Sequence, residues 1–104
     1  MQDKTFEQDV KKLIDAFLLI ENKSECNALF EDLFTIQELH AIAQRLKVAT
    51  MLDGGMTCQN IAGETGASTA TISRVNKCLH YGSGGYKPIL DRLKDKSKRG
   101  INGK

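Results

Sequence analysis

The chain has 104 residues, a formal net charge of +2, a single proline and 6% aromatic residues. A chain of this length forms one small domain with a thin core, and this composition is typical of a mostly helical protein. The sequence starts without the apolar core of a signal peptide, and it has no apolar run approaching the roughly 18 residues of a membrane span. Its three cysteines, an odd number with no close pair, argue against disulfides. We therefore expect a cytoplasmic protein that does not enter a membrane.

The charge is unevenly distributed along the chain. Residues 92–104 carry six basic residues and one acidic residue, a balance of +5, so the preceding residues together carry −3. Residues 96–104 also lack apolar periodicity, and we expect them to form a basic, disordered tail. This separation of charge fits a polyanion on one side of the protein and a protein partner on another.

The first predicted helix runs from Phe6 to Ile20, where apolar residues recur at spacings of three and four. Thr5 is the predicted N-cap, with Gln8 completing a capping box. The end of the helix, Leu18-Leu19-Ile20, is apolar on more than one face. We therefore expect a second chain to cover it.

Two further helices precede the central motif. Ser24 is predicted to cap a short second helix that ends near Phe34. Thr35 and Glu38 have the spacing of a capping box, which predicts the start of a third helix. This helix is expected to run to about Asp53, where two glycines stop it.

Residues 57–80 have the pattern of a helix-turn-helix. Gly66 stands at the turn, where a positive φ is expected, and Ala62 is small enough for two helices to cross closely. Thr57 and Ser68 are the predicted N-caps of the two helices. The apolar residues expected to lock the helices together are Ile61, Ala67, Ile72 and Val75.

The outer face of the second motif helix distinguishes a DNA reader from an ordinary helical hairpin. No acidic residue occurs between Ala67 and Tyr86, whereas a merely solvated helix would usually include Glu or Asp. The pattern therefore favours binding to double-stranded DNA, with residues 68–71 approaching base edges. The residues predicted to contact DNA are Thr57, Gln59, Ser68, Thr69, Ala70, Thr71, Ser73, Arg74 and Lys77.

Pro88 is predicted to lie at or near the first position of a last helix, which completes an all-α fold of six helices. The glycine-rich segment before it has no preceding strand and no following Gly-Lys-Ser/Thr, so a phosphate loop is disfavoured. Cys78 and His80 form the only closely spaced pair of possible metal ligands, and no residue is placed to orient a Cys-His nucleophile. We therefore expect no metal, no cofactor and no enzymatic activity.

This order of elements resembles the Trp repressor family and, within it, the YerC/YecD-type branch. The similarity is closest from Thr35 to Leu93 and includes Gln44-Arg45-Leu46, Gly55-Met56-Thr57 and Gly66 through Arg74. The resemblance implies a bacterial transcription regulator, a repressor, with a domain covering residues 1–95. It also implies an intertwined homodimer that binds a roughly palindromic operator.

The resemblance places the family's co-repressor pocket on Thr35, Arg45, Thr71, Arg74, Val75 and Cys78. Arg45 and Arg74 match the two arginines that hold the indole and the carboxylate of the ligand. The family's tryptophan sensor has glycine at the position of Val75, and that glycine leaves space for the indole ring. The valine side chain fills this space, so control by tryptophan is not expected.

Two alternatives stay open from the sequence. One is a dimeric protein-interaction module that does not bind DNA, which the acidic and apolar front half supports. The other is a repressor gated by a different small molecule, for which Arg45 would be a contact.

Overall fold

The computed structural model describes the backbone of residues 3–103 and the side chains of residues 3–97. The described backbone contains helices and no strand, which confirms the predicted all-α fold of six helices. None of these helices combines the length and the apolar character needed to cross a membrane. In chain order, the helices are α1 (Lys4–Leu18), α2 (Lys23–Leu33), α3 (Ile36–Asp53), α4 (Cys58–Thr65), α5 (Thr69–Tyr81) and α6 (Tyr86–Gly103).

The chain divides into two compact units, Met1–Leu39 and His40–Lys104. The first unit contains α1 and α2, and the second contains most of α3 with α4, α5 and α6. The assignment of residues 1–95 to a single domain stays a prediction.

Helix α1 begins earlier than predicted, because Asp3 is its N-cap. The Asp3 Oδ1 accepts a hydrogen bond from the Phe6 backbone N–H at 2.7 Å, and Thr5 lies inside the helix. The predicted Thr5 cap was therefore wrong. Aspartate is a stronger N-cap than threonine, which explains the earlier start.

Helix α2 is capped by Asn22, so the predicted Ser24 cap was also wrong. The Asn22 Oδ1 accepts from the Glu25 backbone N–H at 2.9 Å. The Glu25 carboxylate in turn accepts from the Glu21 backbone N–H at 3.0 Å. These two bonds satisfy backbone N–H groups at the start of the helix. With Asn22 as the N-cap, the first helical residue is Lys23, one position before Ser24.

The first unit has an aromatic contact but no buried residue in either of its helices. The Phe17 and Phe30 rings lie 5.6 Å apart between centroids, and Phe30 meets Phe34 edge-on at 5.4 Å. By contrast, Leu18 and Leu19 are 78% and 75% exposed. The single chain thus leaves the apolar end of α1 in contact with solvent.

Helix α3 starts and stops where the sequence predicts. The Thr35 Oγ1 accepts from the Glu38 N–H at 3.0 Å, and the Glu38 carboxylate accepts from the Thr35 N–H at 2.9 Å. This reciprocal pair is the predicted capping box. The helix ends at Asp53, and Gly55 follows with a φ of 90°.

The core of the second unit joins α3, α4, α5 and α6. It includes all four predicted anchors of the helix-turn-helix, and burying each large aliphatic side chain contributes about 1.5–3 kcal/mol. Met56, Ala62 and Tyr86 pack against it while half-buried. The buried residues are Val48, Ala49, Ile61, Ala67, Ile72, Val75 and Leu90.

Helix α6 starts near Pro88, as predicted, but ends later than predicted. It begins at Tyr86, so Pro88 is its third residue, where a missing N–H removes no intrahelical bond. It continues to Gly103, so the backbone of residues 96–103 is helical where the sequence predicted a disordered tail. Lysine and arginine are good helix formers, which favours continuing a helix already started upstream. The basic side chains beyond Ser97 lie outside the described residues.

Two lysines of α6 clamp a carboxylate at the end of α3. The Asp53 side chain is only 7% exposed, and its Oδ1 accepts a hydrogen bond from the Lys87 Nζ at 2.8 Å. Its Oδ2 forms an ion pair with the Lys94 Nζ at 2.9 Å. The interaction with Lys87, and to a lesser extent that with Lys94, holds the pKa of Asp53 below its usual value. The same carboxylate raises the pKa of Lys87 above its usual value. The clamp fixes α6 to α3 beside the helix-turn-helix.

Candidate nucleic-acid interface

The first helix of the motif, α4, is closed at both ends by the predicted residues. The Thr57 Oγ1 accepts from the Asn60 N–H at 3.2 Å, which confirms the predicted N-cap. Gly66 ends the helix in the left-handed region, with φ 73° and ψ 6°, and its N–H donates to the Ala62 carbonyl at 2.9 Å. A Cβ at Gly66 would meet no atom within 4 Å, so the backbone conformation alone favours glycine there.

The second helix of the motif, α5, starts from a hydroxyl pair. The Ser68 Oγ accepts from the Thr71 N–H at 3.1 Å and donates to the Thr71 Oγ1, also at 3.1 Å. Thr71 is half-buried, whereas Thr69 and Ala70 are exposed in the same first turn. The structure thus separates two roles, since Thr71 supports the cap while Thr69 and Ala70 face outward.

The two motif helices contact each other through the predicted apolar residues. Ile61 of α4 is fully buried, and Ile72 and Val75 of α5 are each 2% exposed. Ala62 is half-buried and packs against the same core, as its small side chain predicts. Because these residues face inward, the opposite faces of α4 and α5 are exposed to solvent.

The nine residues predicted to contact DNA lie on that outward side. All are exposed except the half-buried Thr71. Three of them line a groove of about 520 Å³ between the helices. The residues that line the groove are Cys58, Gln59, Ala62, Thr69, Ile72, Ser73 and Asn76.

Asn76 lines the groove although it was not among the residues predicted to contact DNA. Thr69, Ser73 and Asn76 are spaced by four and three residues, which places them on one helix face. That spacing was a usable signal in the sequence. The groove therefore carries a row of hydroxyl and amide groups along α5.

The electrostatics of the motif favour an anion. Glu64, in the last turn of α4, is the only acidic residue between Thr57 and His80. Arg74 and Lys77 are exposed on α5. The surface therefore combines neutral hydrogen-bonding groups with two cations, which is the mixture used to read bases and hold phosphates.

Gln44 and Thr65 support the turn, although no sequence pattern predicted this role for either residue. The Gln44 Nε2 donates to the Thr65 carbonyl at 3.3 Å, across 21 residues of sequence. The Thr65 hydroxyl donates to the Ile61 carbonyl at 2.7 Å and accepts from the Ala67 N–H at 3.0 Å. No local pattern signals a bond over such a separation.

The residues of the predicted effector pocket have different environments. Thr35 caps α3 in the first unit, and Arg45 and Arg74 are exposed in the second. Val75 is buried in the core, beside half-buried Thr71 and Cys78 on the same helix. The pocket itself stays a prediction.

All three cysteines are free thiols. Cys58 is exposed at the start of α4, while Cys26 and Cys78 are half-buried. Within the described residues, no three side chains of His, Cys, Asp or Glu lie close enough together to hold a metal ion.

The sequence matches a known protein family over most of its length. The family described as Trp repressor protein matches residues 8–94, which is most of the chain. The chain belongs to the Trp repressor family. Proteins of this family are generally DNA-binding regulators rather than enzymes.

A curated relative lies in the branch that the sequence resembles. The uncharacterized protein YerC of Bacillus subtilis strain 168 is 47% identical over 93 residues, which are 89% of each chain. This similarity confirms the predicted YerC-type assignment within the Trp repressor family.

Two solved structures share the fold. A protein provisionally assigned as a Trp repressor from Staphylococcus aureus aligns with a TM-score of 0.80 and 42% identity, covering 89% of this chain and 96% of its own. A TrpR-like protein from Eubacterium eligens ATCC 27750 aligns with a TM-score of 0.79 and 46% identity, covering 84% and 90%. Both structures confirm the predicted TrpR-like fold of this chain.

Proposed function

We propose that this protein is a sequence-specific transcription regulator that represses by binding a palindromic operator as a homodimer, without tryptophan. The observation that supports the proposal is the difference between the two faces of the helix-turn-helix. Its inner face is buried in the core through Ile61, Ile72 and Val75. Its outer face presents hydroxyl, amide and basic groups, with no acidic residue along α5.

Within this proposal, the exposed residues divide into base readers and phosphate contacts. Thr69 and Ala70 enter the major groove, where a hydroxyl can bond a base edge and a methyl group can meet thymine. Ser68, Thr71 and Gln59 border this surface. The proposed phosphate contacts are Thr57, Ser73, Arg74 and Lys77.

The homodimer is proposed from the uncovered apolar residues of the first unit. Leu18 and Leu19 are more than 70% exposed, although a soluble chain rarely leaves adjacent leucines uncovered. A two-fold axis would present two copies of α5 to successive half-sites, which requires a roughly palindromic operator.

Independence from tryptophan is proposed from the burial of Val75. Its side chain is 2% exposed and belongs to the core that holds α5. An indole ring would have to displace this side chain, and overpacking a filled site costs about 1–3 kcal/mol. Arg74 is then available to a phosphate.

In vitro selection of bound DNA tests the proposal most directly. We expect the enriched sequences to share a two-fold symmetric element, and affinity for it should fall as salt concentration rises. Enrichment of no sequence, together with no binding to random DNA at low salt, would favour the interaction module instead.

A single substitution tests the assignment of α5 as the reading helix. Thr69→Glu adds a negative charge to the first turn, where the helix dipole tolerates it and the fold should persist. Facing phosphates, the same charge is expected to abolish binding to the selected operator in a gel-shift titration. Gln37→Glu, which adds the same charge to the first turn of α3, is the matched control and should bind normally. Binding that survives Thr69→Glu would contradict the assignment.

A further inference from the structure

The turn between α4 and α5 is held by hydrogen bonds from two residues that lie outside the proposed DNA-contact set. We infer that Gln44 and Thr65 are positioning residues that fix the angle of α5 and so set the sequence specificity of the protein. This inference rests on the proposed DNA-binding function. Both side chains are half-buried behind the turn.

The Thr65 hydroxyl joins the two sides of the turn. It donates to the Ile61 carbonyl at 2.7 Å, inside α4, and accepts from the Ala67 N–H at 3.0 Å, beyond Gly66. Gly66 itself has the least restricted backbone of any residue type. One hydroxyl therefore restrains the chain on both sides of Gly66.

Gln44 connects the same turn to the core. Its Nε2 donates to the Thr65 carbonyl at 3.3 Å. The last carbonyls of a helix have no intrahelical partner, so this side chain satisfies a group that would otherwise need water. Gln44 lies on α3, one turn before the fully buried Val48 and Ala49, so the bond ties the turn to a rigid helix.

Apolar packing alone does not define the angle of α5 as these bonds do. Hydrophobic contacts are non-directional, whereas a hydrogen bond fixes both a distance and a direction. The base contacts proposed for Thr69 and Ala70 depend on that direction, because base edges are read through hydrogen bonds and close contacts. Phosphate contacts carry non-specific affinity and tolerate a looser helix. Loosening the turn should thus reduce specific binding more than non-specific binding.

The test compares two DNAs for each full-length variant. Dissociation constants are measured at one salt concentration for the selected operator and for random DNA of equal length, and their ratio is the specificity. Thr65→Val keeps the shape of the side chain and removes the hydroxyl, and we expect it to lower the ratio by about three- to tenfold, as for one lost hydrogen bond. Thr65→Ser keeps the hydroxyl and should restore the ratio.

A matched control removes a similar hydroxyl elsewhere. The Thr50 Oγ1 donates to the Leu46 carbonyl at 2.9 Å, which repeats the bond from Thr65 to Ile61 but lies within α3. Thr50→Val should leave the ratio unchanged. An unchanged ratio in Thr65→Val, or an equal loss in Thr50→Val, would overturn the inference.

Gln44→Met provides a second test of the inference, which does not depend on Thr65. It removes the amide donor at nearly constant length and should lower the specificity ratio, whereas Gln37→Met, at an exposed position of the same helix, should not. If Thr65→Val fails to fold, this pair decides the question, and an unchanged ratio in Gln44→Met then contradicts the inference.

Amide hydrogen exchange separates this inference from the proposed function. In Thr65→Val, the Ala67 amide loses its acceptor and should exchange faster than in the native protein, with recovery in Thr65→Ser. This readout needs no DNA. A native protein that binds no DNA would refute the proposed function, whereas unchanged exchange at Ala67 would refute the positioning role of Thr65.

Discussion

At the scale of single residues, one glycine determines whether the chain can turn from α4 into α5. Gly66 has a φ of 73°, a conformation that costs other L-residues free energy. Gly63, three residues earlier, lies within α4, and a Cβ there would also meet no atom within 4 Å. The two positions therefore differ in backbone conformation and not in available space.

These two glycines give a matched pair of substitutions. Gly66→Ala should lower the free energy of unfolding by about 1–2 kcal/mol, because alanine is strained in the left-handed region. Gly63→Ala should raise it by about 0.5–1 kcal/mol, because glycine weakens a helix interior. Urea unfolding followed by circular dichroism measures both. The same sign of change in the two variants would contradict the role given to the conformation of Gly66.

Val75 is buried beneath α5, and the proposed independence from tryptophan rests on this side chain. Val75→Gly should lower the free energy of unfolding by about 3 kcal/mol, from lost burial and from the poor helix propensity of glycine. Val75→Ala removes the same methyl groups but adds no backbone freedom, so it should lower the free energy of unfolding by less than Val75→Gly does. Calorimetry with tryptophan should detect no binding to the native protein. Tight binding there would contradict the proposed independence from tryptophan.

At the scale of helices, local signals predicted the motif well and its supports poorly. The caps at Thr35, Thr57 and Ser68 and the turn at Gly66 were predicted correctly, because each depends on a few neighbouring residues. The caps of α1 and α2 were placed too late, since stronger or better-placed cap residues precede them.

Contacts between helices that are far apart in the sequence could not be predicted in this way. Gln44 reaches Thr65 across 21 residues, and Lys87 reaches Asp53 across 34. Periodicity and capping rules describe positions within one element, so they cannot indicate which charged or amide side chains meet after folding. Asn76, which was left out of the predicted DNA contacts, is different, because its helical spacing from Ser73 can be read in the sequence.

The lysine clamp on Asp53 predicts how stability depends on pH. The folded-state pKa of Asp53 is depressed, so its contribution is present above the unfolded pKa of about 3.8 and is lost as pH falls through the lower folded value. The pKa of Lys87 is raised, so its contribution is lost only as pH rises above 10.5. Asp53→Asn should therefore unfold at lower temperature than the native protein near neutral pH.

The difference between native protein and Asp53→Asn should shrink in acid, once Asp53 is itself protonated. Asp95→Asn makes the same change of charge at an exposed position of α6 and should have little effect at either pH. Thermal unfolding across the acid range provides the measurement. A destabilisation by Asp53→Asn that persists undiminished at the lowest pH would show that the clamp does not act through charge.

At the scale of the whole molecule, the burial of apolar residues is uneven. Among the described side chains, seven hydrophobic residues are buried in the second unit, whereas none is buried in α1 or α2. The helices of the first unit are nevertheless amphipathic, as their apolar spacing predicted. An amphipathic helix gains most of its stability from a packed apolar face. In the proposed dimer, a second copy of the chain would supply the surface against which these helices pack.

The proposed dimer predicts a concentration-dependent mass and a specific way to disrupt it. Sedimentation equilibrium of the native protein should give twice the chain mass of 11.5 kDa. Replacing Leu18 and Leu19 together by serine should shift the equilibrium toward the monomer, because about 0.8 kcal/mol is lost for each methylene no longer buried. Operator affinity should fall with it, since one chain can occupy only one half-site. Replacing Lys11 and Lys12 by serine changes two adjacent residues of the same helix and should leave the mass unchanged. A native protein of 11.5 kDa at every concentration would refute the dimer.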